Sequence, residues 1–277
     1  MRRHVALMVH PNRPSAVDVV QQVTDALNAD GIDVALIESD GTPIGSEHYE
    51  LVVVLGGDGT ILRAAEKARG EKVPILGVNL GHVGFLAEAE HSELDEVVKA
   101  IATRNYVVEE RMTIDASVHR GELEVSSGWA LNEISIEKVG SRMIEVLVAV
   151  DGRPLSRWWC DGVLCATPTG STAYAFSAGG PIVWPEVEAL LVLPVAAHAL
   201  FARPLVTSPK SSITIDVISG DAQVVSDGLR KIESPAPSRI EISRGHEPIQ
   251  LARLATAPFT DRLVAKFRLP VEGWRGE

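Results

Sequence analysis

The chain has 277 residues, room for about two domains, with 45% hydrophobic and 23% charged residues, the balance of a globular protein. A net charge of −11 gives no electrostatic case for binding nucleic acid or an anionic membrane, and 5% aromatic residues is thin for base-stacking platforms. The only two cysteines, Cys160 and Cys165, suit core thiols in a reducing compartment and cannot by themselves build a structural zinc site.

The N-terminal stretch from Met1 to Pro11 is too short in apolar length for a signal peptide, and no run of 18 apolar residues occurs, so the expected location is cytoplasmic. Val5–Val9 reads as a first buried strand ended by Pro11. Ala16, Val19, Val20, Val23, Ala26 and Leu27 then recur at helical spacing until Gly31. A second strand, Ile32–Ile37, precedes a polar loop with Gly41, Pro43 and Gly45. Leu51–Leu55, five apolar residues with three valines, reads as a fully buried parallel strand. Gly56-Gly57-Asp58-Gly59-Thr60 follows, and Ile61, Leu62, Ala64 and Ala65 begin a helix to about Arg69, with Thr60 as the expected N-cap. A strand over Pro74–Asn79 and a helix from about Ser92 to Thr103 complete the first part. Strand and helix alternate, which predicts an open parallel α/β sheet. Ligands of such sheets sit beyond the carboxyl ends of the strands, where Gly56–Thr60 and Gly77–Gly84 lie.

A strand, a glycine-rich turn and a helix put bare backbone N–H groups at a positive helix end, a ready phosphate site. Asp58 is the unusual member, because a carboxylate repels phosphate unless it holds a metal ion or takes a proton from a nucleophile. A tight turn in which Asp58 only caps the helix is the plain alternative. The run is neither a Walker A loop nor a G-x-G-x-x-G fingerprint. Downstream, Gly81 and Gly84 shape a loop in which His82 reads as a surface imidazole or as part of a larger motif.

From about Tyr106 the texture changes to short segments divided by Gly and Pro: Thr113–His119, Glu122–Ser126, Ala130–Glu137, Ile144–Val150, Val163–Thr167, Ser212–Ile218, Gln223–Ser226 and Arg239–Ser243. They predict an antiparallel β domain. Within it, Asp161 opens a strand that leads into a hydroxyl-rich turn and a short helix carrying Thr169, Ser171, Thr172, Ala173, Tyr174 and Ser177. Five hydroxyls in nine residues fit polyol or phosphate recognition and exceed what helix capping needs. Asn132-Glu133 can serve a vicinal diol, Glu by accepting and Asn by doing both. Arg63, Arg142 and Arg157 are candidate phosphate or ribose contacts, each also explicable as a surface charge. The tail places Phe259, Leu263, Val264 and Phe267 at helical spacing.

Gly56-Gly57-Asp58-Gly59-Thr60 resembles the signature of a kinase superfamily of NAD, lipid and phosphofructokinase-like kinases. Three further stretches narrow it. Gly77-Val78-Asn79-Leu80-Gly81-His82-Val83-Gly84-Phe85-Leu86, Asn132-Glu133, and the run from Asp161 through Thr167-Pro168-Thr169-Gly170-Ser171-Thr172-Ala173-Tyr174 are similar to NAD-kinase motifs in order and spacing. The resemblance runs from His10-Pro11 to the C-terminal helix and is to NAD kinases of actinobacterial type, which use ATP or inorganic polyphosphate. It implies an N-terminal open α/β (Rossmann-like) domain over residues 1–105, a C-terminal antiparallel β-sandwich-like domain over 106–255, and a tail, 256–277, packing back on the first. The implied reaction moves the terminal phosphoryl of ATP to the 2′-hydroxyl of the adenosine ribose of NAD, giving NADP. Asp58 would then be the catalytic base or orienting group. Gly57, Gly59, Arg63, Asn132, Glu133, Arg142, Asp161, Thr172, Ala173, Tyr174 and Ser177 would bind the substrates. Mg²⁺ would come with the phosphates, with Asp58 a candidate ligand, and the assembly would be a homodimer or homotetramer. His198, before Arg203-Pro204, would shape a cavity wall. Two departures stand out: Trp158-Trp159-Cys160 is aromatic where relatives carry a polar residue, and Ser226-Asp227-Gly228 is followed by Leu229 in place of Gln. A lipid kinase and a non-catalytic NAD(P)-binding sensor are the competing classes. The first needs an exposed apolar entry for an acyl chain, and the intact Asp58 argues against the second.

Overall fold

A computed structural model describes residues 2–10, 16–38, 48–81, 84–254 and 258–271. Pro11, the loop glycines Gly41 and Gly45 with Pro43, and His82 lie outside the described residues. The chain forms two compact units, Met1–Glu110 with Ile249–Glu277, and Arg111–Pro248.

The first unit opens with β1 (Arg3–Val9), α1 (Ala16–Ala29), β2 (Ile32–Ile37) and β3 (Leu51–Leu55). It continues with α2 (Asp58–Ala68), β4 (Ile75–Asn79), β5 (Ala89–Glu90), α3 (Leu94–Thr103) and β6 (Val107–Arg111). β1 pairs in parallel with β2 and β3, and β3 with β4. Every residue of β3 and β4 is buried, as continuous apolar runs in a sheet covered on both faces should be. Leu51, Val53 and Leu55 share one core with Val19, Val23 and Leu27 of α1 and Val97 and Ile101 of α3. Gly77 lets α2 approach the sheet, since a Cβ there would stand 2.4 Å from Ile61 Cδ1.

One boundary differs from the sequence reading. Helix α2 starts at Asp58 with Gly57 as its extended N-cap, so Thr60 is not the cap but lies inside the first turn. The Thr60 side chain is buried against Gly56, where a Cβ would meet its Oγ1 at 2.6 Å, so packing takes the hydroxyl that capping would have used.

The second unit contains β7 (Ile114–Arg120), β8 (Leu123–Ala130), β9 (Glu133–Lys138), β10 (Ile144–Val150), β11 (Arg153–Cys160) and β12 (Gly162–Ala166). Then come a 3₁₀ turn at Thr169–Thr172, the one-turn α4 (Tyr174–Ser177), β13 (Leu190–Val195), β14 (Leu205–Thr207), β15 (Ile213–Ser219), β16 (Ala222–Ser226), β17 (Arg230–Glu233) and β18 (Ser238–Arg244). They make two six-stranded sheets, ordered β11-β10-β15-β18-β7-β8 and β14-β13-β12-β9-β16-β17. Ile114, Val146, Ile215 and Ile240 of the first sheet share a core with Ile134, Ile136, Val163 and Val192 of the second. This is the sandwich that alternating segments predict. β12 is buried on both faces: Val163 and Cys165 enter the sandwich core, while Leu164 and Ala166 pack with Ala175 of α4. Both thiols are buried and unpaired, and burial pushes each up to about 12, as core cysteines require.

The chain then returns to the first unit as β19 (Ile249–Arg253), parallel to β4, and α5 (Phe259–Phe267). The first sheet thus runs β2-β1-β3-β4-β19-β6, with β5 beside β4. Among the described residues no helix is long and apolar enough to cross a membrane.

Candidate active site

The first unit supplies a glycine-rich loop that opens a helix. β3 ends at Leu55, and after two glycines α2 begins, so the N–H groups of Asp58 and Gly59 have no acceptor within the helix, while Thr60 N–H bonds to Gly57 O at 2.9 Å. Nothing lies within 4 Å of where a Cβ would stand on Gly57 or Gly59, whereas Gly56 is tightly packed. The open positions flank Asp58. Its carboxylate does not cap α2; Oδ2 accepts the N–H of Phe85 and Oδ1 that of Leu86, each at 3.1 Å. Gly84 lies so close beneath that a Cβ would meet Oδ1 at 2.3 Å. The second glycine-rich motif therefore fixes the aspartate of the first. Asn79, at the end of β4, accepts the N–H of Gly81 at 3.2 Å and steadies the loop between them. Arg63 is exposed on the second turn of α2.

The second unit gathers Asn132, Glu133 and the hydroxyl-rich turn. Thr167 donates its N–H to Asn132 O at 2.9 Å and its hydroxyl to Leu131 O. Gly170 lies against the Asn132 carbonyl, where a Cβ would come within 2.0 Å of the oxygen. Asn132 and Glu133 are 8% and 7% exposed, and Asn132 Oδ1 and Glu133 Oε2 have no hydrogen-bond partner. Buried polar atoms without a protein partner leave acceptor positions open to a ligand or to water. Burial, with Asp227 adding to it and the Tyr174 backbone N–H opposing it, pushes the Glu133 carboxyl up to about 8. Of the five hydroxyls, Ser171 is buried and bonded both ways to Val183, and Thr172 bonds to Thr169 O at 3.3 Å. Ala173, in a non-helical conformation, separates the 3₁₀ turn from α4, on which Tyr174 and Ser177 are exposed. Asp161 forms an ion pair with Lys138 Nζ at 2.6 Å, without hydrogen-bond alignment. Arg142 lies on the exposed turn between β9 and β10, and Arg157 pairs with Glu145 at 3.3 Å. His198 is exposed and donates its backbone N–H to Trp159 O at 2.7 Å.

Sequence reasoning underrated Asp227. Its carboxylate accepts the N–H groups of Leu131 at 2.9 Å, Asn132 at 2.7 Å and Glu133 at 3.3 Å. Arg230 holds Asp227 from the other side at 3.0 Å and stacks 4.5 Å above the Trp129 ring. Asp227 and Gly228 both have positive φ, and Leu229 N–H closes the turn on Ser226 O. Asp-Gly is the hairpin signal that could have revealed this turn, and Leu229 stands at its far corner.

Among the described residues no three His, Cys, Asp or Glu side chains gather as a metal cage. One carboxylate beside open glycines at a helix N-terminus fits the way Mg²⁺ is commonly held, by one or two carboxylates and the substrate's own phosphates.

Residues 37–106 match the ATP-NAD kinase N-terminal domain and residues 131–254 the ATP-NAD kinase C-terminal domain. The chain is 52% identical to an NAD kinase of Thermobifida fusca, covering 99% of this chain and 92% of that one. It is 48% identical to an NAD kinase of Mycobacterium leprae, covering 100% and 98%. An NAD kinase from Archaeoglobus fulgidus, solved in complex with ATP, superposes with a TM-score of 0.79 at 30% identity, over 96% of this chain and 98% of that one. The fold is shared with a yeast NADH kinase, at a TM-score of 0.84 and 24% identity over 97% and 87%.

Proposed function

The chain belongs to the NAD kinase family, and on that premise we propose how its residues divide the transfer of the terminal phosphoryl of ATP to the 2′-hydroxyl of the adenosine ribose of NAD. Phosphoryl transfer asks little covalent work of a protein and much positioning. Asp58 takes the role of base or orienting group for the 2′-hydroxyl. Each of its oxygens accepts one backbone N–H, which leaves lone-pair sites for a hydroxyl proton and fixes their direction. The backbone at Gly57 and Gly59 receives phosphate, with Arg63 as a further contact. Asn132 and Glu133 hold a ribose through the two oxygens that lack partners. Asp161, Thr172, Ala173, Tyr174 and Ser177 take the remainder of the dinucleotide, and Arg142 contacts its phosphates.

Mg²⁺ arriving on the phosphates supplies charge neutralisation that a chain of net charge −11 does not. Asp58 is its candidate protein ligand. We include in this reading inorganic polyphosphate as a second donor, a homodimer or homotetramer as the working form, and a cytoplasmic location.

The observation that carries the assignment is the Asp58 carboxylate, fixed between two peptides beside glycines with open space. Asp58→Asn tests it. The variant should bind NAD with unchanged affinity by calorimetry while kcat falls about a hundredfold to ten-thousandfold, the range for a lost general base. Turnover near that of the wild type would sink the assignment.

A further inference from the structure

The two peptides that hold Asp58 are themselves held from behind. Phe85 and Leu86 give their N–H groups to its carboxylate, and their carbonyls accept from two arginines distant in sequence. Arg262 Nη1 on α5 bonds to Phe85 O at 3.3 Å, and Arg253 Nη1 at the end of β19 bonds to Leu86 O at 3.2 Å. Both guanidiniums converge on one carboxylate, Glu88 Oε2, with Arg253 at 2.9 Å. Arg253 also reaches Glu109 at 3.4 Å. The Phe85 ring adds apolar support, packing on Phe259 and Phe267 of α5 with centroids 6.0 and 5.7 Å away.

This cluster is expensive as a stabilising device. The side chains of Arg253, Arg262 and Glu88 are 9%, 12% and 1% exposed, and two buried cations share one fully buried anion. Desolvation and the Arg253 charge push Arg262 below the usual guanidinium range, against the pull of Glu88. Replacing such a group with apolar residues is often neutral or stabilising. Its arrangement accomplishes something apolar packing could not, which is to hold two carbonyl oxygens in place.

We infer that Arg262 and Arg253 are positioning residues for Asp58, bracing through Phe85 and Leu86 the carboxylate that faces the substrate hydroxyl. The inference rests on the reading of Asp58 as the base or orienting group. It makes the C-terminal helix part of the reaction's geometry.

Kinetics of Arg262→Met and Arg262→Lys, each alone and in the Asp58→Asn background, test it, with melting curves and NAD calorimetry alongside. Met keeps the aliphatic stem and removes the bonds to Phe85 O and Glu88; Lys keeps the charge beside Glu88. Arg262→Met should lower kcat roughly tenfold to a hundredfold, the effect of a small misplacement transmitted to the chemistry. KM for NAD should stay within about twofold, since binding is not what the brace serves. Arg262→Lys should recover part of the rate. In the Asp58→Asn background, Arg262→Met should change the residual rate no further.

Wild-type kcat in folded Arg262→Met, or an equal loss in both backgrounds, overturns the inference. Should Arg262→Met not fold, Arg262→Lys is judged by the same criteria: an intermediate kcat with unchanged KM supports the brace, and wild-type kcat overturns it. Failure of the base reading shows separately, as full turnover in Asp58→Asn alone.

Discussion

Asp58 and Glu133 are both carboxyl groups among backbone donors, yet their surroundings suit them to different work. Asp58 is partly exposed, and two N–H bonds fix the direction of its carboxylate. Glu133 is buried next to the Asp227 carboxylate, and burial first and that neighbour second raise it to about 8. The folded protein therefore holds a proton on Glu133 across a pH window in which the unfolded chain has lost it. Folding stability from this group is greatest below the ordinary carboxyl range and falls as pH rises towards about 8. Glu133→Gln, which cannot ionise, should be more stable than wild type at alkaline pH by on the order of a few kcal/mol, with a correspondingly higher melting temperature, and differ little near pH 4. Parallel melts of the two proteins from acid to alkaline pH check this; a difference independent of pH would contradict it.

At the scale of elements, the second unit depends on a close approach of two loops. Gly170 rests on the Asn132 carbonyl, and backbone cannot yield as a side-chain tip can. Gly170→Ala should cost about 1–3 kcal/mol, as overpacking does, and raise KM for NAD by parting Asn132-Glu133 from the turn at Thr169–Thr172. Melting and NAD titration of the variant measure both; an unchanged KM would separate the loop contact from binding.

The same elements show what the sequence makes legible. Continuous valine runs and glycine turns are local signals, so Leu51–Leu55, Ile75–Asn79 and the helix between them are readable in place. Leu190–Val195 is not, because Pro194 argues against a strand. β14 pairs only with Leu190–Val192, so on that side the missing N–H at Pro194 breaks no ladder bond. Ile249–Arg253 is short and follows many antiparallel segments, and only its pairing with distant strands, β4 in parallel on one side and β6 on the other, places it in the first sheet. In the site, motif residues are legible because their spacing is. Asp227, Arg230 and the brace at Arg253 and Arg262 act across long stretches of chain on backbone atoms, which carry no residue-specific pattern.

For the whole molecule, the pattern is a mobile-phosphate chemistry placed on an acidic chain. On the proposed reading, −11 net charge and two anionic substrates would make cation supply a condition of turnover. Removing divalent metal with a chelator should abolish the rate, and added Mg²⁺ should restore it without a refolding step, since the described residues form no metal cage that the fold needs. A chelator that lowered the melting temperature of the ligand-free protein would show a structural ion instead.

The most direct measurement incubates the full chain with NAD, Mg²⁺ and either ATP or polyphosphate, and detects NADP with an NADP-specific dehydrogenase. The account predicts NADP with ATP, in step with ADP formed, and its near disappearance in Asp58→Asn. NAD bound by the wild-type protein without NADP from either donor would contradict it.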